Sequence, residues 1–351
     1  MPKHFATSLL LAAILAVPAS AQTPPPAAPV TAFDSALADQ VVDRLAQELE
    51  DNFVFPDIAK RYAAMLRAKR ASGAYRGSPS AQTFAEAVTA DLQAVHKDGH
   101  LRLFPPRAAS GSSRRIGGPG PESAIGKAGW IADGVAYIDF RGFPGNEATL
   151  AALREFLASH GDAKALIIDA RAHRGGGLAE MDLMFPLLFD KEQVLVKMDT
   201  RLAVDQRGGN PLAEEPSLRR EQGPDSVVRR AHVVTPAGGA AKLRQARLFL
   251  LTSGRTASAG EHLSLSLKRT GRATLIGETT RGAGHYGSGV DLGGGFSAFI
   301  PVGRTFDPDT GEGWEGVGVK PNVEVPADRA LGEALKRAGV QPGAERDLAS
   351  F

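Results

Sequence analysis

Apolar and polar positions fall into two textures along the chain. Between residues 34 and 105 the pattern is helical. Leu37, Val41, Val42, Leu45 and Leu49 recur at the spacing of one helix face, behind an Asp34 able to cap the first turn. Two further helical stretches are predicted near 57–70 and 80–96. After residue 128 short buried-type runs take over. Val135–Phe140, Ala165–Asp169, Arg247–Thr252 and Ala273–Ile276 read as strands. Between them lie helical segments: Asn146 is placed to cap one that runs through Ser159, and another spans about 257–270. Alternating strands and helices imply parallel pairing with crossover helices, an α/β class. Residues 200–240 are polar with little periodicity and read as a loop or hairpin insertion.

The first residues do not belong to this pattern. Lys3 and His4 precede an apolar stretch, Leu9 to Val17, that is too short to span a bilayer. Ala19-Ser20-Ala21 then forms a small-residue cleavage site, so 1–21 is predicted to be a secretory signal peptide cut after Ala21. Residues 22–33, rich in Pro and Ala, read as a flexible lead. Residues 106–128, dominated by Ser, Gly, Arg and Pro, read as a linker. The remaining division is a helical N-terminal unit, 34–105, and an α/β domain, 129–340. The expected location is periplasmic or secreted, with no integral membrane segment once the signal is removed.

Composition narrows the chemistry. The 351 residues carry a formal net charge of +2, and the basic residues are spread rather than clustered, which argues against nucleic acid as a partner. There are no cysteines, which excludes disulfides, thiolate metal sites and a Cys nucleophile.

Five segments are candidates for a site. Thr252-Ser-Gly-Arg-Thr-Ala-Ser258-Ala-Gly-Glu261 joins a buried strand to a helix. A serine there sits where backbone N–H groups and the helix dipole favour negative charge, but on this feature alone a simple N-cap at Thr256 or Ser258 is the favoured reading. Asp169-Ala-Arg-Ala-His-Arg-Gly175-Gly176-Gly177 follows another buried strand. Its glycines permit close backbone approach and offer free N–H donors, or form an ordinary turn. No Gly-Lys-Ser/Thr follows, so it is not a phosphate loop. Asp98-Gly99-His100 closes the helical unit. Gly277 to Gly289 is a glycine-dense loop containing His285. Trp314-Glu315-Gly-Val-Gly-Val-Lys-Pro-Asn322 carries a carboxylate in a compact turn before the last helix.

In this order the five segments resemble the tail-specific (C-terminal processing) protease family, which includes the tricorn core and the interphotoreceptor retinoid-binding protein repeats. The matching stretches are D-G-H-L, LIIDARAHRGGG, LTSGRTASAGE, RATLIGETTRGAG and WEGVGVKPNVEVP, spanning about residues 35 to 335. The resemblance implies a crotonase-like ββα spiral and a serine-type peptidase. It makes Ser258 the nucleophile and puts the oxyanion hole at Ala259 with Gly175 or Gly176. Ala283 stands where family members with a Ser-Lys dyad carry Lys, which excludes that dyad. The branch similar to the tricorn core uses a His from the region of His100 and a carboxylate from the region of Glu315. His100 is therefore the expected base and Glu315 its helper, with His285 in reserve. Gly99 stands where the tricorn core has a Ser before that His. No PDZ domain fits between the helical unit and the core. The expected reaction is endopeptidase cleavage of extended or unfolded polypeptides with no metal or organic cofactor. The alternatives on the same fold are a non-catalytic binder of apolar small molecules and a crotonase-type acyl-CoA enzyme, the latter disfavoured by the export signal.

Overall fold

In the computed structural model, residues 33–106, 122–239 and 241–348 are described. The predicted signal peptide, nearly all of the lead and most of the linker lie outside them.

The chain begins with three helices, α1 (Ser35–Asn52), α2 (Pro56–Ala71) and α3 (Ala81–Val95). Each has a local reason to start. The Asp34 side chain accepts the Ala36 N–H, Pro56 occupies the first turn of α2, and Ser80 accepts the Thr83 N–H. Val41, Val42, Leu45 and Leu49 are buried as the periodicity predicts, while Leu37 is only partly covered. The apolar faces of these helices do not close on one another alone. Leu101, together with Leu103, Leu292, Phe296 and Ile300 of later strands, completes their core.

Beyond them come β1 (Arg102–Phe104), β2 (Ile125–Ala132), β3 (Val135–Phe140), α4 (Glu147–Ser159), β4 (Ala165–Asp169), α5 (Ala179–Leu188), β5 (Gln193–Arg201) and α6 (Leu202–Gln206). The chain continues through β6 (Leu218–Glu221), β7 (Val227–Val234), β8 (Arg247–Thr252), α7 (Ala259–Arg269), β9 (Thr274–Gly277), β10 (His285–Gly293), β11 (Phe296–Phe306), β12 (Val323–Glu324) and α8 (Ala330–Ala338). One sheet runs β12-β9-β8-β4-β3-β2. It is parallel except for β2, which pairs antiparallel with β3. β4 is buried along its whole length, as a central parallel strand covered on both faces must be. Successive residues of its strands alternate between two cores. Ile138, Leu166, Ile168 and Leu250 meet α4, α5 and α7, whereas Tyr137, Ile167, Phe249 and Leu251 meet α8.

The second sheet, β1-β11-β5-β7-β6 with β10 also on β11, is antiparallel throughout. The uniform parallel alternation expected from the sequence therefore describes only one of two sheets. Residues 200–240 contribute β7 to the interior of the second sheet and β6 to its edge, with α6 ahead of them. Their polar look has a physical cause. Arg229 sits opposite Asp199 in the β5–β7 register and donates two hydrogen bonds to it, at 2.7 and 2.8 Å. A charged cross-strand pair of this kind hides the period-2 signal of a strand. Among the described residues no PDZ domain lies between the helical unit and the sheets, and no helix is long and apolar enough to cross a membrane.

Candidate active site

Ser258 stands between β8 and α7, directly before the first residue of the helix. Its backbone has φ 54° and ψ −116°, and it is the only non-glycine residue at positive φ among the described residues. Such a conformation costs about 1–3 kcal/mol and persists only where its surroundings enforce it. Three groups do so. The Ser258 N–H donates to Glu261 Oε2 at 2.8 Å. The Ser258 carbonyl accepts from the N–H groups of Glu261 and His262. Thr256, the other capping candidate, spends its hydroxyl on the Ala170 carbonyl at 2.7 Å and so ties the turn to the end of β4.

Glu261 is fully buried, and its carboxylate also accepts from the N–H groups of Gly282 and Ala283 and from the Thr280 hydroxyl, at 2.6 to 2.8 Å. Burial pushes its carboxyl above the usual range, against the opposing pull of these hydrogen bonds. This residue braces both the serine turn and the loop before His285. Its visible sequence signal is the Ser-x-x-Glu capping spacing.

The glycine segment lies against Ser258. A Cβ on Gly175 would stand 2.9 Å from Ser258 Cβ, and one on Gly176 would stand 2.0 Å from the Phe143 carbonyl oxygen. Both glycines have positive φ, 107° and 136°. The Gly175 N–H is already engaged, donating to His173 Nδ1 at 3.1 Å. The N–H groups of Gly176 and Ala259 have no partner among the described residues. His173 is completely buried, and burial lowers its pKa to about 3, so it stays neutral and accepts the Gly175 N–H.

His285 begins β10 and is 6% exposed. Its Nδ1 lies 2.7 Å from Asp98 Oδ2. A carboxylate only accepts, so this nitrogen carries a proton, and in the free base the lone pair is on Nε2. Asp98 Oδ1 accepts the N–H groups of His100 and Leu101, both at 2.9 Å. Burial would raise the Asp98 pKa, but the His285 hydrogen bond, its charge and the two N–H donors outweigh it and hold the carboxyl below the usual range. Glu315 binds mainly backbone, with Oε2 also 3.7 Å from His285 Nδ1. It accepts from Gly99 N–H on one oxygen and from Gly284 and His285 N–H on the other. Burial raises its pKa. Glu315 thus clamps the segment carrying Asp98 to the segment carrying His285.

The structure brings Ser258, Ala259, Gly176 and His285 together on the wall of one narrow cleft of about 60 Å³. His100 does not line that cleft. Its ring stacks on Phe299 at 5.2 Å, its Nδ1 is sealed without a partner, and burial lowers its pKa to about 4. Asp98, His100 and Glu315 do offer one donor atom each within 4.8 Å of one another. The carboxylate oxygens of that trio already accept N–H bonds, so only His100 has an uncommitted donor, a poor ligand set for a cation. Asp98 was visible in the sequence only as a neighbour of His100. Its pairing with His285 spans 187 positions, and no local pattern announces it.

Residues 134–325 match the model of peptidase family S41, and residues 27–121 match the N-terminal domain of Peptidase_S41 in eukaryotic IRBP. The chain belongs to peptidase family S41 and is a serine-type peptidase. Its fold is similar to that of the photosystem II D1 C-terminal processing protease, with TM-score 0.54 and 15% identity over 88% of this chain and 98% of that one. It is also similar to a putative peptidase from Parabacteroides merdae ATCC 43184, with TM-score 0.56 and 15% identity over 85% and 96% of the two chains. The tricorn protease matches with TM-score 0.52 and 14% identity over 88% of this chain and 36% of that one. At these identities the likeness concerns the fold.

Proposed function

We propose that the protein is an exported endopeptidase that cleaves extended polypeptides through Ser258, with His285 as general base and Asp98 as its orienting carboxylate. The single observation that carries this reading is the pairing of Asp98 with His285, whose ring lines the same cleft as Ser258. His285 Nε2 takes the Ser258 hydroxyl proton as Oγ attacks the substrate carbonyl. The oxyanion receives the N–H groups of Ala259 and Gly176, the two unpartnered donors that flank the serine. His285 then gives its proton to the leaving amine. Water, deprotonated by the same nitrogen, releases the acyl group and restores Ser258. Asp98 keeps the proton on Nδ1 throughout and stabilises the imidazolium. Glu315 is a positioning residue in this scheme, and so is Glu261.

His100, the base favoured by resemblance, lacks a place on the cleft wall. Export rests on the leader pattern of residues 1–21. The preference for extended chains rests on the glycine-lined approach to Ser258, which lets a substrate backbone lie close. The cleft is well below the 300–1,000 Å³ usual for a small-molecule ligand pocket, which disfavours storage of an apolar ligand there.

The test is hydrolysis of an unstructured protein by the wild type and by Ser258→Ala, His285→Ala and His100→Ala. Cleavage lost in the first two and kept in the third supports the assignment. Cleavage kept in His285→Ala and lost in His100→Ala returns the base to His100.

A further inference from the structure

A second ring borders the cleft without a role in the chemistry above. His262 lies one helical turn along α7 from Ser258 and is 3% exposed. Its Nε2 is 2.8 Å from Nδ1 of His232 on β7. His232 Nε2 is in turn 2.9 Å from Asp182 Oδ1 on α5, and Asp182 Oδ2 accepts the Ser217 hydroxyl at 2.8 Å. The carboxylate only accepts, so His232 carries a hydrogen on Nε2, and as the free base it keeps a lone pair on Nδ1. His262 must donate its Nε2–H into that lone pair, which leaves a lone pair on its own Nδ1.

That Nδ1 has no partner among the described residues. The ring itself borders the cleft. Burial and the neighbouring His232 hold His262 well below the usual imidazole range, so the ring stays neutral. The other walls are Leu178, Met198, Leu212, Tyr286 and Trp314. The polar tips of the last two are spent, on the Thr200 hydroxyl and the Ala283 carbonyl. The Thr305 hydroxyl also borders the space, but it can donate or accept and so does not discriminate. The volume of about 60 Å³ has room for about four to six water-sized groups, the size of a short side chain.

We propose that this cleft is the subsite for the side chain of the residue whose carbonyl Ser258 attacks, and that His262 Nδ1 selects there a short side chain bearing an N–H donor, asparagine, over leucine and aspartate of the same shape. The inference rests on the peptidase reading for its place in the reaction. Asp182 and His232 are positioning residues: they act only by holding His262 in the accepting tautomer.

The full chain carrying Ser258→Ala is titrated calorimetrically, at about pH 8, with peptides that differ only in a C-terminal Asn, Leu or Asp. The Asn peptide is expected to bind at least about tenfold tighter than either other, the worth of one buried hydrogen bond. Adding Asp182→Asn removes the preference for Asn over Asp. The new amide keeps its oxygen for Ser217 and donates to His232, which reverses both tautomers and turns His262 Nδ1 into a donor that the oxygen of either peptide side chain can meet. A merely structural role for Asp182 would weaken all three alike. Adding His262→Leu instead removes the advantage of Asn over Leu, and carries the test if Asp182→Asn fails to fold. Equal binding of the three peptides, no binding of any, or an unchanged order in a folded Asp182→Asn protein overturns the proposal. Wild-type protein that hydrolyses nothing while the Ser258→Ala protein still sorts the peptides sinks the peptidase mechanism and leaves the subsite standing.

Discussion

His285 Nδ1 and Asp98 Oδ2 lie 2.7 Å apart across 187 residues of chain, joined because β1 and β10 both pair with β11. α3 ends at Val95, and Asp98 lies in the short connection that enters β1 at Arg102. Pairing of Arg102 with Phe299 and of His285 with Arg304 therefore sets the carboxylate beside the ring. The N-terminal unit in this way supplies the carboxylate that His285 meets.

From that pair follows a prediction on rate. His285→Ala should lower kcat by about 10³-fold or more, the usual worth of a general base. Asp98→Asn should cost about 10²- to 10⁴-fold, because an amide can leave the proton on the wrong ring nitrogen. His100→Ala should stay within about tenfold. Steady-state hydrolysis of one peptide by the three variants checks all of these.

His100 should report instead on stability against pH. Its pKa falls from 6.5 to about 4 on folding, because burial disfavours its charged form. Between those values the unfolded chain binds more protons than the folded one, so stability rises with pH through the window and is lost as pH drops from about 6.5 toward 4. The full effect is on the order of 3 kcal/mol at about 1.36 kcal/mol per unit. Urea unfolding across this range should show a shallower acid slope for His100→Phe than for the wild type.

The glycines beside Ser258 should separate folding from chemistry. Gly176→Ala puts a methyl into the Phe143 carbonyl at a φ that L-residues avoid, and a loss of several kcal/mol is expected, about 3 or more. Gly175→Ala carries φ strain too, at 107°, but its methyl meets Ser258 itself, so the protein that does fold should react with a fluorophosphonate probe about 10²-fold more slowly. Thermal unfolding and probe labelling of the two variants distinguish the effects.

Glu261→Gln should destabilise by about 2–4 kcal/mol. Its carboxylate meets four donors, and an amide presents two hydrogens of its own to some of them. Activity should fall with stability, because the same side chain braces Ser258 and the loop before His285. Chemical denaturation with parallel activity measurements tests both.

The sequence alone determined what is local. The stripe from Val41 to Leu49, the caps at Asp34, Ser80 and Asn146, and the buried run Ala165–Asp169 specify helices and central strands through contacts a few residues apart. The turn holding Ser258 was legible for the same reason, as was the glycine segment beside it. What only the tertiary structure decided is non-local. The antiparallel sheet depends on the Asp199–Arg229 pairing, whose charges look like loop when read singly. The cleft wall holds His285 and not His100, although both segments carry a histidine beside glycines. Pattern reading cannot separate two such rings, because nothing within either segment records which nitrogen meets a carboxylate. The register of β1 and β10 on β11 does, and that register is a property of the packed whole.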